Sequence, residues 1–260
     1  GASSGIGESI AREAAKIGAH LVLAARNEQK LLELQEELKV FNVNVICIPT
    51  DVIQKDQCKH LIEQAIAQLG SINVLINNAG ITMRASFENV DDQVLHRVMN
   101  VNYWGTAYCS KYALPELIKN KGSLVAVSSV TGLKGLPGRS AYAASKFAIN
   151  GLFESIRMEN MHLGLHTLIA CPGYTSSKIR NNSLTADGTP QGDTPAYEGN
   201  PDDPQEVAQQ ILQAIRDRKD FMLNNTEGKK IFWLNKFFPR FLEKKIHQVI
   251  SQEPNSPIRK

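Results

Sequence analysis

Short runs of apolar and β-branched residues alternate with helical stretches along most of this 260-residue chain. Two of the runs, 21–23 and 74–76, are continuously apolar, which is typical of strands buried on both faces of a parallel sheet. The predicted strands cover 20–25, 43–48, 72–76, 123–127, 166–170 and 220–223. The predicted helices cover 28–41, 55–69, 91–119, 141–163 and 204–218, the third of them with a bend. This alternation predicts an α/β fold with a doubly wound parallel sheet, in a single domain.

Composition and charge exclude several classes of function. The net charge is +3, and Lys and Arg form no stripe outside the C-terminal tail, so nucleic acid is not an expected partner. No apolar run approaches the roughly 18 residues that a membrane-spanning helix needs. The cysteines show no CxxC and no metal-ligand spacing, which predicts no metal site and free thiols in a reducing, cytoplasmic environment. These cysteines are Cys47, Cys58, Cys109 and Cys171.

Two segments depart from the alternation. Residues 174–204 are rich in Gly, Pro, Asn, Thr and Asp and are too long for an ordinary connection, so they form a lid over a site or are disordered. Residues 226–260 are amphipathic, with aromatic residues among Lys and Arg. We therefore divide the chain into a main domain, 1–225, which includes the loop, and a C-terminal extension. The extension packs on the core or a sister subunit, caps the site entrance, or makes a peripheral membrane contact through 229–250.

The chain begins with a glycine-rich turn, followed by a helical pattern from Glu8. Such a turn at a helix N-terminus lets backbone N–H groups approach a pyrophosphate, and the helix dipole favours its negative charge. The strand that should precede the turn, the central strand of the sheet, is missing from the chain. We expect residues upstream of Gly1 to supply it. A protein beginning at Gly1 is expected to be less stable than an extended one, because an empty slot leaves interior backbone groups unpaired.

Arg26 follows the first predicted strand, and Ala25 stands where a ribose-binding carboxylate would otherwise lie. A carboxylate there binds the 2′-hydroxyl of NAD and repels the 2′-phosphate of NADP, whereas an arginine attracts that phosphate. The absence of an acid and the presence of Arg26 favour NADP(H) over NAD as the cofactor. The alternative is that Arg26 is merely exposed on the surface.

A serine, a tyrosine and a lysine follow the strand predicted at 123–127. Ser129 comes directly after that strand, and Tyr142 and Lys146 lie on one face of the next helix because four positions separate them. A neighbouring ammonium group favours the phenolate and lowers the pKa of a tyrosine from its reference value of about 10. Tyr142 could then act as an acid or base while the Ser129 hydroxyl polarises a substrate oxygen.

Several motifs occur together in one order and spacing. They are Gly1-Ala-Ser-Ser-Gly-Ile-Gly7, Asn77-Asn-Ala-Gly80, Asn102-Tyr-Trp-Gly105, Ser129, Tyr142 with Lys146, and Pro172-Gly173. In this set the chain resembles the short-chain dehydrogenase/reductase family over roughly 1–223, and the stretch 174–188 is similar to its dehydrogenase/reductase member 7-like branch. The resemblance implies a Rossmann fold and an oxidoreductase that transfers a hydride between a nicotinamide and a carbonyl compound or secondary alcohol.

The resemblance also implies roles for individual residues. Tyr142 would be the general acid in reduction and the base in oxidation, and Lys146 would lower its pKa and bind the nicotinamide ribose. Ser129 would orient the carbonyl group. Asn102 would hold a water that links Lys146 to solvent. The implied cofactor-binding residues are Gly1, Ser3, Ser4, Gly5, Ile6, Arg26, Asp51, Val52, Asn77, Asn78, Ala79, Gly80, Tyr142, Lys146, Pro172, Gly173 and Thr175.

Within this set, Asp51 would contact the adenine of the cofactor, and residues 77–80 would form the floor of the cofactor site. Residues 77–80 also have a simpler interpretation, which is that they brace adjacent strands. Ser128 is expected to be structural and Ser129 catalytic.

The predicted substrate pocket lies between 129–139 and the 174–204 loop. Leu133, Leu136, Pro137 and Tyr174 predict a partly apolar pocket for a lipid-like, steroid-like or xenobiotic carbonyl compound or alcohol.

Further expectations concern partners and alternative functions. The resemblance implies a homo-oligomer that associates through the helices 91–119 and 141–163. One alternative function is a non-catalytic NAD(P)-binding sensor or scaffold, against which the complete catalytic set argues. Another is a membrane-associated lipid or steroid reductase.

Overall fold

The computed structural model describes residues 1–176, 179, 182–192, 201–253 and 256–258. Strands and helices alternate along these residues as predicted, with ends shifted by a few positions. The strands are β1 (Leu21–Ala25), β2 (Val45–Pro49), β3 (Val74–Asn77), β4 (Ser123–Val127), β5 (His166–Cys171) and β6 (Phe221–Leu223). The helices are α1 (Gly5–Lys16), α2 (Glu28–Leu38), α3 (Lys55–Leu69), α4 (Asp92–Met99), α5 (Gly105–Lys119), α6 (Ser140–Asn160), α7 (Pro204–Arg216), α8 (Thr226–Phe237) and α9 (Pro239–Ser251).

All six strands pair in parallel, in two groups. β1 pairs with β2, and β3, β4, β5 and β6 pair in that spatial order. The glycine-rich turn links the two groups at their carboxyl ends. The Ala2 N–H donates to the Ala24 carbonyl at 3.0 Å, and the Asn78 amide donates to the Gly1 carbonyl at 3.0 Å.

Helices cover both faces of the sheet. On one face α1 and α7 pack against β4 and β5, and the buried contacts include Ile10, Val125, Leu168, Val207 and Ile211. On the other face α3, α5 and α6 pack through residues that include Ile62, Leu117, Leu124, Ile149 and Phe153. Every residue of β4 and β5 is buried, including the polar Ser123, His166 and Thr167 at their starts, as expected for strands inside a parallel sheet covered on both faces. The single-domain, doubly wound α/β fold, a Rossmann fold, is confirmed.

The bend predicted within 91–119 is a π-helical turn, Asn100–Trp104, between α4 and α5. Asp91 begins this helical segment, because its side chain accepts the Gln93 N–H and satisfies one free donor of the first turn. A π turn is wider than an α turn and is often found at functional sites. Asn102 lies within it and is fully buried.

Helices α8 and α9, the C-terminal extension, fold back over residues 133–138. The Asn235 amide donates to the Leu133 carbonyl at 2.9 Å, and Lys134 forms an ion pair with Glu243 at 2.6 Å. Four aromatic side chains of the extension remain 53% to 63% exposed, so they are not part of the core: Trp233, Phe237, Phe238 and Phe241. No helix among the described residues has both the length and the apolar character needed to cross a bilayer.

The predicted lid, 174–204, is described in part. Thr175 bridges to Asp202, so the two ends of the loop are joined to each other, and Leu184, in its middle, bridges to Met83 outside it. Residues 177–178, 180–181 and 193–200 lie outside the described residues.

Candidate active site

A cavity of about 300 Å³ lies at the carboxyl ends of the strands, where ligands bind in doubly wound sheets. It brings together residues far apart in the sequence. The predicted site residues in its wall are Ile6, Asn78, Gly80, Ser129, Tyr142, Lys146, Pro172, Gly173 and Thr175. The remaining predicted cofactor residues lie outside this wall, on the glycine-rich turn and at the ends of β1, β2 and β3.

Lys146 is a buried cation in the cavity wall, only 4% exposed. Its Nζ donates to the Val127 carbonyl at 2.8 Å and lies 5.7 Å from the centre of the Tyr142 ring. Burial lowers the pKa of Lys146 to about 8, because a cation loses hydration in the interior. At pH 7 the ammonium form still predominates, so a positive charge stands beside the tyrosine.

Ser129 begins a short 3₁₀ turn directly after β4. Its Oγ accepts the Thr131 N–H at 3.1 Å, so the hydroxyl hydrogen is left to donate towards the cavity. The neighbouring Ser128 donates to the Asn150 Oδ1 at 2.7 Å and so links β4 to α6. These contacts fit a structural Ser128 and a Ser129 that faces a ligand.

Asn102 is held from both ends of its side chain. Its Oδ1 accepts the Ile81 N–H at 2.8 Å, and its Nδ2 donates to the Ile81 carbonyl at 2.9 Å and to the Ser145 Oγ at 2.9 Å. These bonds fasten the π-helical turn to the segment after β3 and to α6. Gly80 lies between Asn102 and Lys146, since a Cβ on it would be 3.4 Å from the Asn102 Oδ1 and 3.7 Å from the Lys146 Nζ.

The glycine-rich turn is packed too tightly for side chains. A Cβ on Gly7 would lie 2.1 Å from the Gly1 carbonyl oxygen, and a Cβ on Gly1 would lie 2.8 Å from the backbone of Ala79. Gly5 begins α1 at a φ of 56°, in the left-handed region that favours glycine. Ser4, the residue before α1, makes no side-chain cap bond to this helix. The first N–H groups of α1 are thus left for an anion, and the turn fits the pyrophosphate of a dinucleotide.

The remaining residues predicted to bind the cofactor occupy distinct positions. Arg26 is exposed directly after β1, and Asp51 follows β2. The Val52 side chain meets Gly105 at the start of α5, where an added Cβ would lie 2.7 Å from its Cγ2. The Asn77 amide donates to the Ser110 Oγ at 3.1 Å and lies 3.5 Å from the Val125 carbonyl. Asn77 therefore braces β3 against α5 and β4.

The substrate side of the cavity differs in part from the prediction. Leu136 and Tyr174 line it, as predicted. Leu133 instead packs against the core, and Pro137 lines a separate groove against α9. Cys171 is buried, and burial raises the pKa of its thiol to about 12, so the thiol is a core group with little thiolate to react.

Sequence analysis left open that the extension caps the site, but it named none of the residues through which α8 contributes to the cavity. The residues concerned are Asn225, Glu227, Gly228 and Ile231. Their neighbours Asp202 and Asn224 were missed as well, although both hydrogen-bond to residues of the wall or its support. A possible signal was the Asn-Asn pair that follows the last predicted strand, because polar residues at the carboxyl end of a parallel strand face the ligand site. Within the described residues, no group of three or more His, Cys, Asp or Glu side chains is arranged to hold a metal ion.

Comparison with known proteins gives one consistent result. The family model for short chain dehydrogenases matches residues 1–188. A dehydrogenase/reductase SDR family protein 7-like of Anopheles gambiae is 33% identical over 246 residues, covering 92% of this chain and 78% of the relative. An 11-beta-hydroxysteroid dehydrogenase-like 4A of Arabidopsis thaliana is 33% identical over 245 residues, covering 93% and 80%.

A solved structure has the same fold. A short chain dehydrogenase/reductase from Burkholderia phymatum, in complex with NAD, superposes with a TM-score of 0.83 at 23% identity, covering 93% of this chain and 92% of that one. With the family match over most of the chain, this agreement leaves one conclusion. The chain belongs to the short-chain dehydrogenase/reductase family, in its dehydrogenase/reductase 7-like branch, and is an oxidoreductase that acts on alcohol or carbonyl groups with a nicotinamide cofactor.

Proposed function

We propose that the protein is an NADP(H)-dependent oxidoreductase that interconverts a carbonyl compound and a secondary alcohol, with Tyr142 as the general acid and base. One observation carries the proposal. Ser129, Tyr142 and Lys146 line the same cavity as Gly80 and Gly173. A substrate oxygen bound there would meet two hydroxyl donors and a cation together, which is the arrangement that carbonyl reduction requires.

Each residue of the chain has a defined task in this proposal. In reduction the Tyr142 hydroxyl gives its proton to the carbonyl oxygen, and in oxidation the phenolate takes it back. The Lys146 charge, 5.7 Å from the ring centre, favours the phenolate form. The Ser129 hydroxyl donates to the same substrate oxygen and fixes its orientation. When bound, the nicotinamide ring supplies or accepts the hydride.

The preference for NADP(H) rests on charge. Arg26 is exposed directly after β1, and the last strand residue is Ala25, so a 2′-phosphate would meet a cation, and the strand end itself offers it no carboxylate. The glycine-rich turn would hold the pyrophosphate, Asp51 and Val52 the adenine, and residues 77–80 the floor of the site. Pro172, Gly173 and Thr175 would lie along the nicotinamide.

Replacing Tyr142 by Phe tests the proposal. NADPH oxidation is measured with the parent against aldehydes, ketones, quinones and steroids, and NADH is run in parallel. We expect NADPH to be the better cofactor, and Tyr142→Phe to lower kcat by about 10²- to 10⁴-fold with little change in NADPH affinity. Turnover that survives the substitution would contradict the assigned role. Tight NADPH binding by the parent without turnover would favour the sensor alternative.

We propose a partly apolar substrate for this site. Leu136, Tyr174 and Ile231 line the cavity, while Arg139 and Glu227 add charged groups to its wall. The name of the Arabidopsis thaliana relative refers to a hydroxysteroid. A steroid-like or lipid-like carbonyl compound is therefore our first choice for the panel. The main domain, 1–225, would carry the chemistry, and the extension, 226–260, would shape the substrate side.

We also propose that the protein forms a homo-oligomer through α5 and α6. Trp104 is 45% exposed beside α5, where its ring stacks on that of Tyr108 at 5.7 Å. Phe147 of α6 is 47% exposed. Large apolar side chains on an outer helical face favour burial against a partner, and a second copy offers the same face.

A peripheral membrane contact through 229–250 is our third proposal on partners. Trp233 and Phe237 stack at 5.8 Å, and the Lys236 ammonium lies 5.7 Å from the Trp233 ring centre. The acid of this region, Glu243, is neutralised by an ion pair with Lys134, and Glu253 just beyond it pairs with Arg84. The outer surface of α8 and α9 is therefore aromatic and basic, which suits the interface of an anionic membrane.

A further inference from the structure

The carboxylate of Asp202 joins two segments that line the cavity. Asp202 lies just before α7, at the end of the 174–204 loop. Its Oδ2 accepts the Asn224 amide at 2.7 Å and the Asn225 amide at 2.6 Å. These two asparagines connect β6 to α8. One anionic oxygen thus satisfies two donors, and charge-assisted bonds of this kind are stronger than bonds between neutral groups.

Each of the two asparagines also hydrogen-bonds to a residue of the cavity wall. The Asn224 Oδ1 accepts the Gly173 N–H at 2.8 Å, and the Asn225 Oδ1 accepts the Gly228 N–H at 2.7 Å. Gly173 and Gly228 both line the cavity. The bonds to Asp202 fix which end of each amide faces which group, because an amide that donates to Asp202 must present its oxygen to the glycine N–H.

The backbone of Asp202 holds the same stretch from the other side. Its N–H donates to the Tyr174 carbonyl at 2.8 Å, and its carbonyl accepts the Ser176 N–H at 3.0 Å. Gly173 and the Asn225 side chain are in close contact, because a Cβ on Gly173 would lie 2.5 Å from the Asn225 Nδ2. The wall at 173–176 is therefore clamped by one residue through its backbone and through two asparagines.

We propose that Asp202 is a positioning residue for the nicotinamide side of the cofactor site, which acts by holding 173–175 in place through Asn224 and Asn225. This inference rests on the proposed function, since it assigns 173–175 to the cofactor. Loss of the carboxylate leaves two amides without their acceptor and frees the Gly173 backbone to move. Cofactor affinity should then fall, while the chemistry of Tyr142 stays intact.

NADPH affinity, measured directly by the rise in NADPH fluorescence on binding, provides the test. We expect Asp202→Ala to raise the Kd by about tenfold, the loss that follows from one charge-assisted hydrogen bond. Asp202→Asn should stay near the parent value, because its amide oxygen can accept both asparagines. Asp203→Ala is the matched control. The Asp203 side chain caps α7 at the Gln205 N–H, so this variant should lower Tm by about 2–4 °C and leave the Kd unchanged.

If Asp202→Ala fails to fold, exchanging the acid and the amide between positions 202 and 224 tests the proposed role of Asp202. Asn224→Asp alone sets two carboxylates against each other and should raise the Kd about tenfold. Combined with Asp202→Asn, it restores a donor–acceptor pair, still presents an oxygen to the Gly173 N–H, and should return the Kd to near the parent value. A Kd that stays within twofold of the parent in both Asp202→Ala and Asn224→Asp would overturn the inference. Parent protein that binds neither NADPH nor NADH would overturn the proposed cofactor site as well.

Discussion

At the scale of single residues, the position of Lys146 in the cavity wall has an energetic cost. The ammonium group is buried beside Tyr142, and its pKa falls from the ordinary 10.5 to about 8 because burial strips its hydration. Below pH 8 the folded protein therefore carries a desolvated charge that the unfolded chain keeps in water. Sites that need such a charge commonly sacrifice stability for activity.

Replacing Lys146 by Met should expose this cost. Between pH 8 and 10.5 the unfolded parent binds the Lys146 proton and the folded parent does not, so the parent gains stability as the pH rises, by about 3 kcal/mol in all. The free energy of unfolding of Lys146→Met should thus exceed that of the parent by the largest amount below pH 8, and this excess should shrink as the pH rises above 8. Urea unfolding at several pH values measures this difference. Lys59→Met, at an exposed lysine of α3, is the control and should show no such trend. A difference independent of pH for Lys146→Met would contradict the account.

The same scale shows where prediction from sequence ends. Tyr142 and Lys146 could be paired in advance because helical geometry relates residues four positions apart. The Gly173–Asn224 bond spans 51 positions and the Asn224–Asp202 bond spans 22. No periodicity connects such residues, because their contact depends on how β6 and the loop before α7 are placed by the whole sheet.

At the scale of elements, the strands and helices could be predicted because their apolar patterns are local. The π-helical turn Asn100–Trp104 could not, although a bend was expected in that helix. Its widening is fixed by tertiary contacts, since Asn102 must reach Ile81 and Ser145. The helix then resumes at Gly105, in direct contact with the turn after β2.

The lack of a side chain at Gly105 allows α5 to approach Val52 closely, and adding one methyl group at this position tests how tight the contact is. A Cβ there would lie 2.7 Å from the Val52 Cγ2, so Gly105→Ala should lower the free energy of unfolding by about 1–3 kcal/mol. Gly151→Ala in α6 meets nothing within 4 Å and should instead raise it by about 0.5–1 kcal/mol, the usual helical gain. Chemical denaturation of the two variants gives both values. Equal effects of the two substitutions would show that α5 does not press on Val52.

At the scale of the whole molecule, the course of the C-terminal extension was left open between three alternatives. In the structure α8 adds to the cavity wall, while its outer aromatic side chains face away from the core. Amphipathic periodicity in a sequence predicts that a helix has an apolar and a polar face. It does not predict which part of the protein packs against each face. Two predictions concern the surfaces left exposed.

The oligomer prediction concerns Trp104 and Phe147. If α5 and α6 form the interface, the double substitution of both residues by Glu should reduce the mass in solution, measured by light scattering, from a multiple of the monomer to the monomer. Buried carboxylates without partners disfavour such an association strongly. Phe87→Glu, at a residue 72% exposed outside these helices, should leave the mass unchanged. A monomeric parent would contradict the proposal.

The membrane prediction concerns Trp233, Phe237 and Phe238. Substitution is preferable to deletion of the extension, because Ile231 of α8 belongs to the cavity wall. The triple substitution by Ser should abolish co-sedimentation with vesicles of phosphatidylserine and phosphatidylcholine, and raised salt should weaken the binding of the parent. Phe87→Ser is the control and should bind like the parent. Equal sedimentation of the triple variant and the parent would contradict the proposed membrane contact.

The cavity draws its walls from residues both inside and beyond the part of the chain that the family model matches. Ser129 and Tyr142 fall inside the region that the family model matches, 1–188, whereas Gly228 and Ile231 lie beyond it. In evolutionary terms, mutations beyond residue 188 can alter the cavity wall without replacing Ser129 or Tyr142, which we propose act on the substrate oxygen. Selection can then shift the choice of substrate while the chemistry is inherited unchanged.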